Sequence, residues 1–305
     1  MTIHIAYDNR LLGWKLGKGH PTNAVRARNA IDMLEGLGAS VKVHPISGPA
    51  AVSLLEDVHA TRYVAETIEG FNGEWGSKCK PKLAEVARLM FQGTVDLVWR
   101  LEKARKPAVY FSPQGAKHHA MYATGSGFCV FADFAWAAQY LSRRGHRVLV
   151  IDMDAHHGDG TEALTFGNSD VMTASIHDGT IFPGTGHYDA PSQHVWNWAL
   201  NAGAGDGSLI AAIQNALRIA ECFEPTVVLV AVGGDGHAQD PLSSLQYSFD
   251  GYARAGALIG EFAGKAKAPV LIGGAGGYLP HDVTPQCWAT FVTELASVYK
   301  RALVR

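Results

Sequence analysis

The sequence of 305 residues is poor in cysteine, in net charge and in long apolar runs, and each shortage excludes a class of protein. Its four cysteines, at positions 79, 129, 222 and 287, form no Cys-X-X-Cys pair, which favours reduced thiols over a disulfide framework. A formal charge of −2 creates no field that would attract nucleic acid or anionic lipid. No run approaches the ~20 apolar residues of a membrane span, and the N-terminus lacks a signal-peptide pattern. We therefore expect a cytoplasmic protein that binds neither nucleic acid nor membrane.

The sequence is rich in short apolar runs that alternate with longer amphipathic stretches, and it contains 34 glycines. Several of the runs are almost wholly apolar, as in parallel strands that are covered on both faces. The alternation predicts an α/β fold of three layers, with a central, mostly parallel sheet between helices, in one domain spanning 1–305. The predicted strands are 3–6, 41–44, 108–111, 148–151, 171–176, 227–232 and 270–272, and the predicted helices are 22–37, 50–68, 82–105, 130–144, 208–222, 248–265 and 284–303.

Four polar or glycine-rich clusters each follow a predicted strand. They occupy 113–120, 152–160, 233–241 and 273–278. In an open parallel sheet, ligands bind beyond the carboxyl ends of the strands, so we expect these clusters to meet at one site. The polar segment around 69–81 has a different character and is predicted to be a surface loop.

The most informative cluster is Asp-Met-Asp-Ala-His-His-Gly-Asp-Gly, at 152–160. Asp152, Asp154 and His156 stand at i, i+2 and i+4, and strand alternation would direct all three side chains to one face. Buried charges of this kind need a partner, and carboxylate with imidazole suits zinc or a related divalent ion. A polar loop with a helix cap is the plain alternative. The density of acids, histidines and glycines favours a metal site, with Asp154 and His156 as ligands.

The other clusters supply residues that complete such a site. The adjacent histidines His118 and His119 can both line a cleft if they lie in a loop, where one could activate water, although such pairs are often structural. Asp152 and Asp159 would then be free to hydrogen-bond them. Asp235 follows a strand predicted to be buried and would make a two-Asp, one-His ligand set that leaves coordination positions open. His237 is better explained as a core residue, and Asp240 as a turn cap.

The glycine cluster at 273–277 ends in Tyr278. Glycines allow a backbone to approach a ligand closely, and a phosphate cradle is the rival explanation. No Lys-Ser/Thr follows, and the spacing matches neither nucleotide fingerprint. Tyr278 is therefore a candidate hydrogen-bond donor to an oxyanion, with simple packing as the alternative.

Taken together, these motifs resemble the zinc-dependent histone deacetylase and acetylpolyamine amidohydrolase family of the arginase/deacetylase superfamily. The match keeps its order along most of the chain. It comprises His-Pro at 20–21 with Arg26 and Arg28, VHATRYV at 58–64, HHA at 118–120, GFCVF at 127–131, the cluster at 152–160, SIH at 175–177 with FPGTG at 182–186, Asp235 to Pro241, and GGY at 276–278.

The resemblance implies the arginase/deacetylase fold, one Zn²⁺ per chain and hydrolysis of an N-acyl amide by zinc-activated water. Zinc would be held by Asp154, His156 and Asp235. His119 would be general base and later acid, His118 would orient water, and Tyr278 would stabilise the oxyanion. The resemblance also implies pairs of His118 with Asp152 and His119 with Asp159, an acyl tunnel formed by Gly127, Phe128 and Phe182, and a structural K⁺ or Na⁺ near Asp152, Asp154, His156, Ser175 and Ile176. Core packing is an equal alternative for the two phenylalanines.

Several positions depart from the family pattern. Ala116-Lys117 replaces the usual Pro-Gly or Gly-Leu, Gly-Asp at 234–235 lacks the aromatic residue of Gly-Phe-Asp, Ala275 replaces a common Glu, and Ala132 replaces an Asn. None of these changes removes a predicted metal ligand or Tyr278. They put the cleft shape and the substrate in question.

The predicted substrate is an acyl-lysine or a small-molecule amide. Leu242 follows Asp-Pro where an acidic gate would favour polyamines, which leans against an acetylpolyamine hydrolase without excluding it. A manganese ureohydrolase would need a second metal-binding acid pair that the motifs lack, and a non-catalytic binding module would be expected to have lost a ligand or Tyr278. Acyl length, the metal used in the cell and the formation of a homo-oligomer stay open.

Overall fold

The computed structural model describes residues 1–16, 20–70, 81–104 and 106–304. Most of the loop predicted at 69–81, together with Cys79, lies outside these residues. The described strands are β1 Ile3–Ala6, β2 Val41–His44, β3 Val109–Ser112, β4 Val148–Asp152, β5 Val171–Asp178, β6 Val195–Leu200, β7 Val227–Val232 and β8 Val270–Gly274. The described helices are α1 Val25–Gly36, α2 Val52–Glu56, α3 Thr61–Glu69, α4 Pro81–Lys103, α5 Asp133–Ser142, α6 Asp159–Thr165, α7 Asp206–Phe223, α8 Phe249–Lys265 and α9 Val283–Ala302.

The strands of the described chain form one eight-stranded sheet in the order β2-β1-β3-β8-β7-β4-β5-β6, with every neighbouring pair parallel. The helices α1, α9, α8 and α7 pack in one row, and α3, α4, α5 and α6 pack in another. The predicted α/β fold with a parallel sheet between helices is confirmed. Every residue of β4, β5, β7 and β8 is buried, which explains the continuous apolar runs in β4, β7 and β8, whereas β5 also contains buried polar residues.

The sheet order explains how the four clusters meet. β3, β8, β7 and β4 are consecutive neighbours in the middle of the sheet, and the clusters at 113–120, 273–278, 233–241 and 152–160 follow them. Because all four strands are parallel, these clusters lie at the same edge of the sheet. The fold therefore brings the predicted site residues together at the carboxyl ends of its central strands.

Two elements were not predicted. β6 lies at the sheet edge, where its residues are mostly half-buried, and Asn197 interrupts the apolar run that would mark a central strand. α6 has only seven residues and begins at Asp159, within the cluster at 152–160. The helix predicted at 50–68 is two helices, because the chain between α2 and α3 is held by tertiary contacts. There the buried His59 lies 2.9 Å from the carbonyl of Met121 and accepts the amide of Ala132 at 2.9 Å.

The end of β8 also differs from the prediction. β8 includes Gly273 and Gly274, which the sequence suggested were part of a ligand loop. A Cβ at Gly273 would lie 2.6 Å from both the Cβ of Ala116 and the ring of Phe134, so only glycine fits there.

None of the helices in the described part of the chain has the length and hydropathy that a membrane crossing requires.

Candidate metal centre and active site

A compact group of buried acids and imidazole lies at the carboxyl edge of the sheet. Ligand atoms of Asp154, His156 and Asp235 all lie within 4.8 Å of one another, and it is the only such group of three or more among the described residues. The Nδ1 atom of His156 is 3.1 Å from a carboxylate oxygen of Asp154 and 3.0 Å from one of Asp235. Both carboxylates are at most 1% exposed. Two carboxylates and one imidazole are a donor set that suits zinc or a related transition metal.

The backbone after β4 arranges this group. The strand ends at Asp152, so strand alternation, which we expected to align all three residues, positions only the first of them. Asp154 and His156 lie in the loop that follows, where the Asp154 carboxylate accepts the amide of His156 at 2.9 Å. The amide of Ala155 donates to Asp235 at 3.1 Å, which ties the loop after β4 to the loop after β7. The three side chains do lie together as predicted, but the loop after β4, and not the alternation of the strand, brings them together.

The glycine cluster after β8 closes around the same carboxylates. Gly276 donates its amide to Asp154 at 2.5 Å, and a Cβ at this position would overlap the carboxylate of Asp235. Gly233 is equally restricted by Asp154 and Asp235. These glycines therefore serve neither a phosphate nor a simple turn, because they let backbone approach the metal-binding carboxylates.

Electrostatics of the group match a cation site. Burial and the nearby charge of Asp154 raise the pKa of Asp235. Burial lowers the pKa of His156, but its hydrogen bonds to Asp154 and Asp235 outweigh that effect and raise the pKa to about 11. Concentrated negative charge in a buried space is costly without a positive partner. The residues thus fit a divalent metal ion in both chemistry and charge.

The tandem histidines lie in the loop after β3, with their ring centroids 4.0 Å apart. The Nδ1 atom of His118 lies 2.7 Å from Asp152, and that of His119 lies 2.7 Å from Asp159. Burial lowers the pKa of His118, but the charges of Asp152 and Asp154 overcome it and raise the pKa to about 9.

His119 has the opposite character from its neighbour. Burial and the neighbouring His118 lower its pKa to about 4. The two imidazoles therefore differ in proton affinity although they are adjacent in sequence, and the difference follows from the carboxylates that surround His118.

The backbone of Tyr278 is held by a hydrogen bond to Asp240, a residue far from it in the sequence. Its amide donates to a carboxylate oxygen of Asp240 at 2.7 Å, and the other oxygen of Asp240 accepts the amide of Leu242 at 3.0 Å. Burial and the charges of Asp235 and Asp154 hold the pKa of the phenol well above its usual value. The phenol therefore keeps its proton and is a hydrogen-bond donor near the metal-binding group.

A pocket of about 340 Å³ opens above these groups. Its lining consists of His119, Gly127, Phe128, His156, Ile181, Phe182, Leu242 and Tyr278. The ring of Phe182 is 5.1 Å from that of His119, and Phe128 is 6.1 Å from Tyr278. Phe182 is 50% exposed, so it forms part of the pocket wall rather than the core.

Comparison with known proteins places this site in a family. A model described as histone deacetylase domain matches residues 20–295. The chain belongs to this histone deacetylase family. The acetoin utilization protein AcuC of Bacillus subtilis (strain 168) is 30% identical over 92% of this chain and 78% of that protein. For AcuC of Staphylococcus aureus (strain COL), the match covers 48% of that protein.

Solved structures of the histone deacetylase family share the fold. The match to the HD domain of HDA15 covers 99% of this chain and 93% of the HDA15 chain, at 25% sequence identity and a TM-score of 0.82. The match to the acetylpolyamine aminohydrolase of Burkholderia pseudomallei covers 97% of this chain and 99% of that protein's chain, at 21% sequence identity and a TM-score of 0.78. The first agrees with the family, and the second shows the fold.

One departure from the deacetylase pattern, at Gly234, has a local explanation. At Gly234, where an aromatic residue was expected, a Cβ would lie 2.9 Å from the Thr284 side chain, so Thr284 fills that space. Ala275 is buried directly before Gly276. Lys117 is 8% exposed and lies next to His118 in the loop after β3. None of these residues displaces a member of the metal-binding group.

The residues implied for a structural cation lie on two neighbouring strands and in the loop that follows the first of them. Asp152 at the end of β4 pairs in register with Ser175 of β5, and Ile176 follows in the same strand. The Ser175 hydroxyl is 3.0 Å from Nδ1 of His177. This places Asp152 beside Ser175, with Asp154 and His156 in the adjoining loop.

Sequence reasoning missed one residue that supports the site. Asp133, at the start of α5, is fully buried and accepts the amides of Ala116 and Lys117 at 3.0 and 2.7 Å and the hydroxyl of Thr94 at 2.5 Å. It thus holds the loop that carries the tandem histidines, in which Ala116 has a left-handed φ of 52°. Its only signal in the sequence is an acid placed between apolar residues. His237 stacks on Phe249 at 4.3 Å and is not part of the metal-binding group.

Proposed function

We propose that this protein is a zinc-dependent amidohydrolase that removes an acetyl or another short acyl group from the nitrogen of a lysine-like side chain or a small amine. The observation that carries the proposal is the buried group of Asp154, His156 and Asp235 beside a His–Asp pair and Tyr278, at the base of an open pocket. Similarity to a histone deacetylase domain and to an acetylpolyamine aminohydrolase supports hydrolysis of acetylated amides.

Asp154, His156 and Asp235 would hold the zinc ion. When bound there, zinc polarises an amide carbonyl and lowers the pKa of a water molecule. The same donor set tolerates iron or cobalt, so the proposal concerns one transition-metal ion per chain and names zinc as the ion to test first.

His119 is the proposed general base. Its Nδ1 faces Asp159, which fixes the ring and leaves Nε2 as the proton acceptor. A pKa of about 4 keeps the imidazole neutral at physiological pH, as a base requires. The proton taken from water would pass from the same nitrogen to the leaving amine. His118, paired with Asp152, would orient the water and balance charge.

Tyr278 would donate a hydrogen bond from its hydroxyl to the oxyanion that forms on the acyl oxygen. Preorganised donors of this kind stabilise the transition state because they need no rearrangement during the reaction. The hydrogen bond from the Tyr278 amide to Asp240 fixes the backbone from which the phenol extends. Asp240 therefore acts on Tyr278 rather than on the substrate.

The pocket would bind the linear arm of the substrate between Phe128 and Phe182. The carbonyl of Gly127 is a candidate acceptor for the substrate amide N–H, and Leu242 also lines the pocket. A K⁺ or Na⁺ ion is proposed near Asp152, Asp154, His156, Ser175 and Ile176, where it would stabilise the loop that carries the zinc ligands.

An acetylpolyamine or another small-molecule amide is the alternative substrate. The described residues that line the pocket include no aspartate or glutamate, so nothing in this lining would pair with a second amine of a polyamine. Leu242 stands where an acid would serve that purpose. This observation favours a substrate whose arm is uncharged along its length.

The decisive experiment measures hydrolysis of an acetyl-lysine fluorogenic amide by purified protein that has been stripped of metal and then reloaded with zinc. We expect turnover that requires zinc and saturates at one ion per chain. Two bound manganese ions with release of urea would instead indicate a ureohydrolase. Full zinc binding without turnover on acetyl-lysine, acetylpolyamine or other acyl amides would indicate a binding module.

A further inference from the structure

A second, smaller cavity lies on the inner side of the site. Its volume is about 20 Å³, and its lining includes Arg26, Lys117, Cys129 and Gly276. His119, Phe128 and Tyr278 border both this cavity and the outer pocket. A substrate acyl carbon that meets Tyr278 and His119 therefore has the outer pocket on one side and this inner cavity on the other.

Two basic side chains face this inner cavity, and both are more than nine-tenths buried. Arg26 is 4% exposed and Lys117 is 8% exposed. Arg26 donates from Nη1 to the carbonyl of Gly277 at 2.8 Å and stacks on Trp288, whereas its buried Nε has no partner among the described residues. Lys117 donates its backbone amide to Asp133, and its side-chain amine forms no ion pair with a carboxylate of the described residues.

Nearby carboxylates do not neutralise these cations directly. Asp133 is bonded to the amides of Ala116 and Lys117 and to Thr94. Asp154 belongs to the metal-binding group and is bonded to His156 and Gly276. Each of these acids is already committed to another partner, so the basic pair lacks a bonded anion.

The arrangement is costly without an anion. Burial and the charge of Arg26 lower the pKa of Lys117 to about 8, which still leaves most of the amine protonated at pH 7. Buried charges are stable when they are paired and hydrogen-bonded, and lysine and arginine pair best with carboxylate or phosphate. A water molecule needs ~10–15 Å³ of cavity volume, so a cavity of about 20 Å³ holds one or two groups of that size. This space suits the two oxygens of a carboxylate and is too small for the four oxygens of a phosphate.

We propose that Arg26 and Lys117 bind a carboxylate carried by the acyl group of the substrate, so that the enzyme prefers a short acyl chain ending in a carboxylate, of malonyl size, over uncharged acyl groups of the same shape. This inference rests on the proposed amidohydrolase function and names its substrate class. The amine arm enters through the outer pocket, so the substituent on the far side of the acyl carbon points to the inner cavity. The small volume excludes long acyl chains.

The reaction balances as a hydrolysis. Water adds its oxygen to the acyl carbon, the carbon–nitrogen bond breaks, and the nitrogen leaves as an amine that takes up a proton. A malonyl amide with one negative charge thus yields a dianionic dicarboxylate and a protonated amine. No oxidant or second substrate is needed.

The test compares kcat/KM of the zinc-loaded enzyme on acetyl-, malonyl- and isovaleryl-lysine peptides. Isovaleryl has the branched shape of malonyl without its charge. We expect the malonyl amide to be hydrolysed at least about tenfold faster than the isovaleryl amide, as charge-assisted hydrogen bonds to a buried ligand are strong. Lys117→Met should bring the ratio of kcat/KM on the malonyl amide to kcat/KM on the isovaleryl amide to about one, whereas Lys300→Met, at an exposed lysine of α9, should leave that ratio and acetyl-lysine hydrolysis unchanged.

Binding provides a readout that does not depend on turnover. Calorimetry with N-methylmalonamate, which carries the amide and carboxylate without lysine, should show binding to the wild type and a loss of about tenfold or more in Lys117→Met. Equal rates on malonyl and isovaleryl amides with no binding would overturn the proposal. Inhibition by free acetate that needs Lys117, without any malonyl preference, would assign the cavity to the released product and also overturn it. No hydrolysis of any amide despite N-methylmalonamate binding would instead count against the amidohydrolase function alone.

Discussion

At the scale of single residues, the group formed by Asp154, His156 and Asp235 is tightly constrained. Asp154, His156 and Asp235 are joined to each other and to backbone amides of the two loops after β4 and β8, which restricts the position of each side chain. A Cβ at Gly233 or Gly276 would overlap the carboxylates of Asp154 and Asp235, so only glycine fits at these two positions. A ligand set this preorganised needs little rearrangement to bind an ion.

We predict that His156→Ala abolishes metal retention. The variant removes one of only three protein ligands and leaves two carboxylates without their imidazole partner. Zinc content per chain, measured by atomic emission after dialysis, should fall from about one to near zero. Asp170→Asn, at an exposed acid outside the site, should keep a full complement. Full occupancy in His156→Ala would show that another ligand set holds the ion.

We predict that Tyr278→Phe lowers kcat by ~10²–10³ and leaves zinc content unchanged, because one oxyanion donor is lost while the metal group is untouched. Asp240→Ala should lower kcat through the position of Tyr278, so it should add little when Tyr278 is already Phe. A double-mutant cycle on kcat checks both statements. Independent, fully additive losses would show that Asp240 acts by another route.

At the scale of elements, the packing of α8 on α9 depends on glycines four residues apart. A Cβ at Gly256 would lie 2.5 Å from the carbonyl oxygen of Phe291, and one at Gly260 would lie 2.5 Å from that of Leu295. Glycine is a poor helix former, so its repetition on one face of α8 reflects the close approach of the α9 backbone.

We predict that Gly260→Ala destabilises the protein by roughly 1–3 kcal/mol, because the overlap with α9 exceeds the gain of ~1 kcal/mol in helix propensity. Gly207→Ala is the matched control, since a Cβ in this first turn of α7 meets no atom within 4 Å. It should be neutral or stabilising by up to ~1 kcal/mol. Urea denaturation of both variants distinguishes the outcomes, and equal effects would show that α9 moves aside.

At the scale of the whole molecule, stability should depend on pH through His59, which links the start of α3 to the loops around Met121 and Ala132. Burial lowers its pKa from 6.5 to about 4 in the folded protein. His59 is therefore protonated below about pH 6.5 in the unfolded chain, but only below about pH 4 in the folded protein. The stability from this residue is present above pH 6.5 and is lost as pH falls towards 4, by up to ~3 kcal/mol.

The measurement compares the free energy of unfolding of the wild type and His59→Gln at pH 7 and pH 5. We expect the wild type to lose more stability than the variant over this interval, because glutamine does not titrate. His187→Gln, at an exposed histidine, should follow the wild type. Parallel curves for the wild type and His59→Gln would rule out a neutral, buried His59.

Much of the site was readable from the sequence because chemistry-bearing residues follow the predicted strands. The clusters at 113–120, 152–160, 233–241 and 273–278 meet as expected, and the predicted family and parallel α/β fold are confirmed. The hydrogen bonds of His118 to Asp152 and of His119 to Asp159 are present. The roles assigned to these residues stay predictions.

The sequence by itself determined the fold class and the membership of the site, because apolar runs mark buried strands and a parallel sheet brings their carboxyl ends to one edge. Tertiary structure alone decided which strand lies at the edge, where β4 stops, how Asp133 holds the histidine loop and that Lys117 and Arg26 share a cavity. These features depend on contacts between segments far apart in the chain. Local propensity carries no information about such contacts, so no reading of neighbouring residues could supply them.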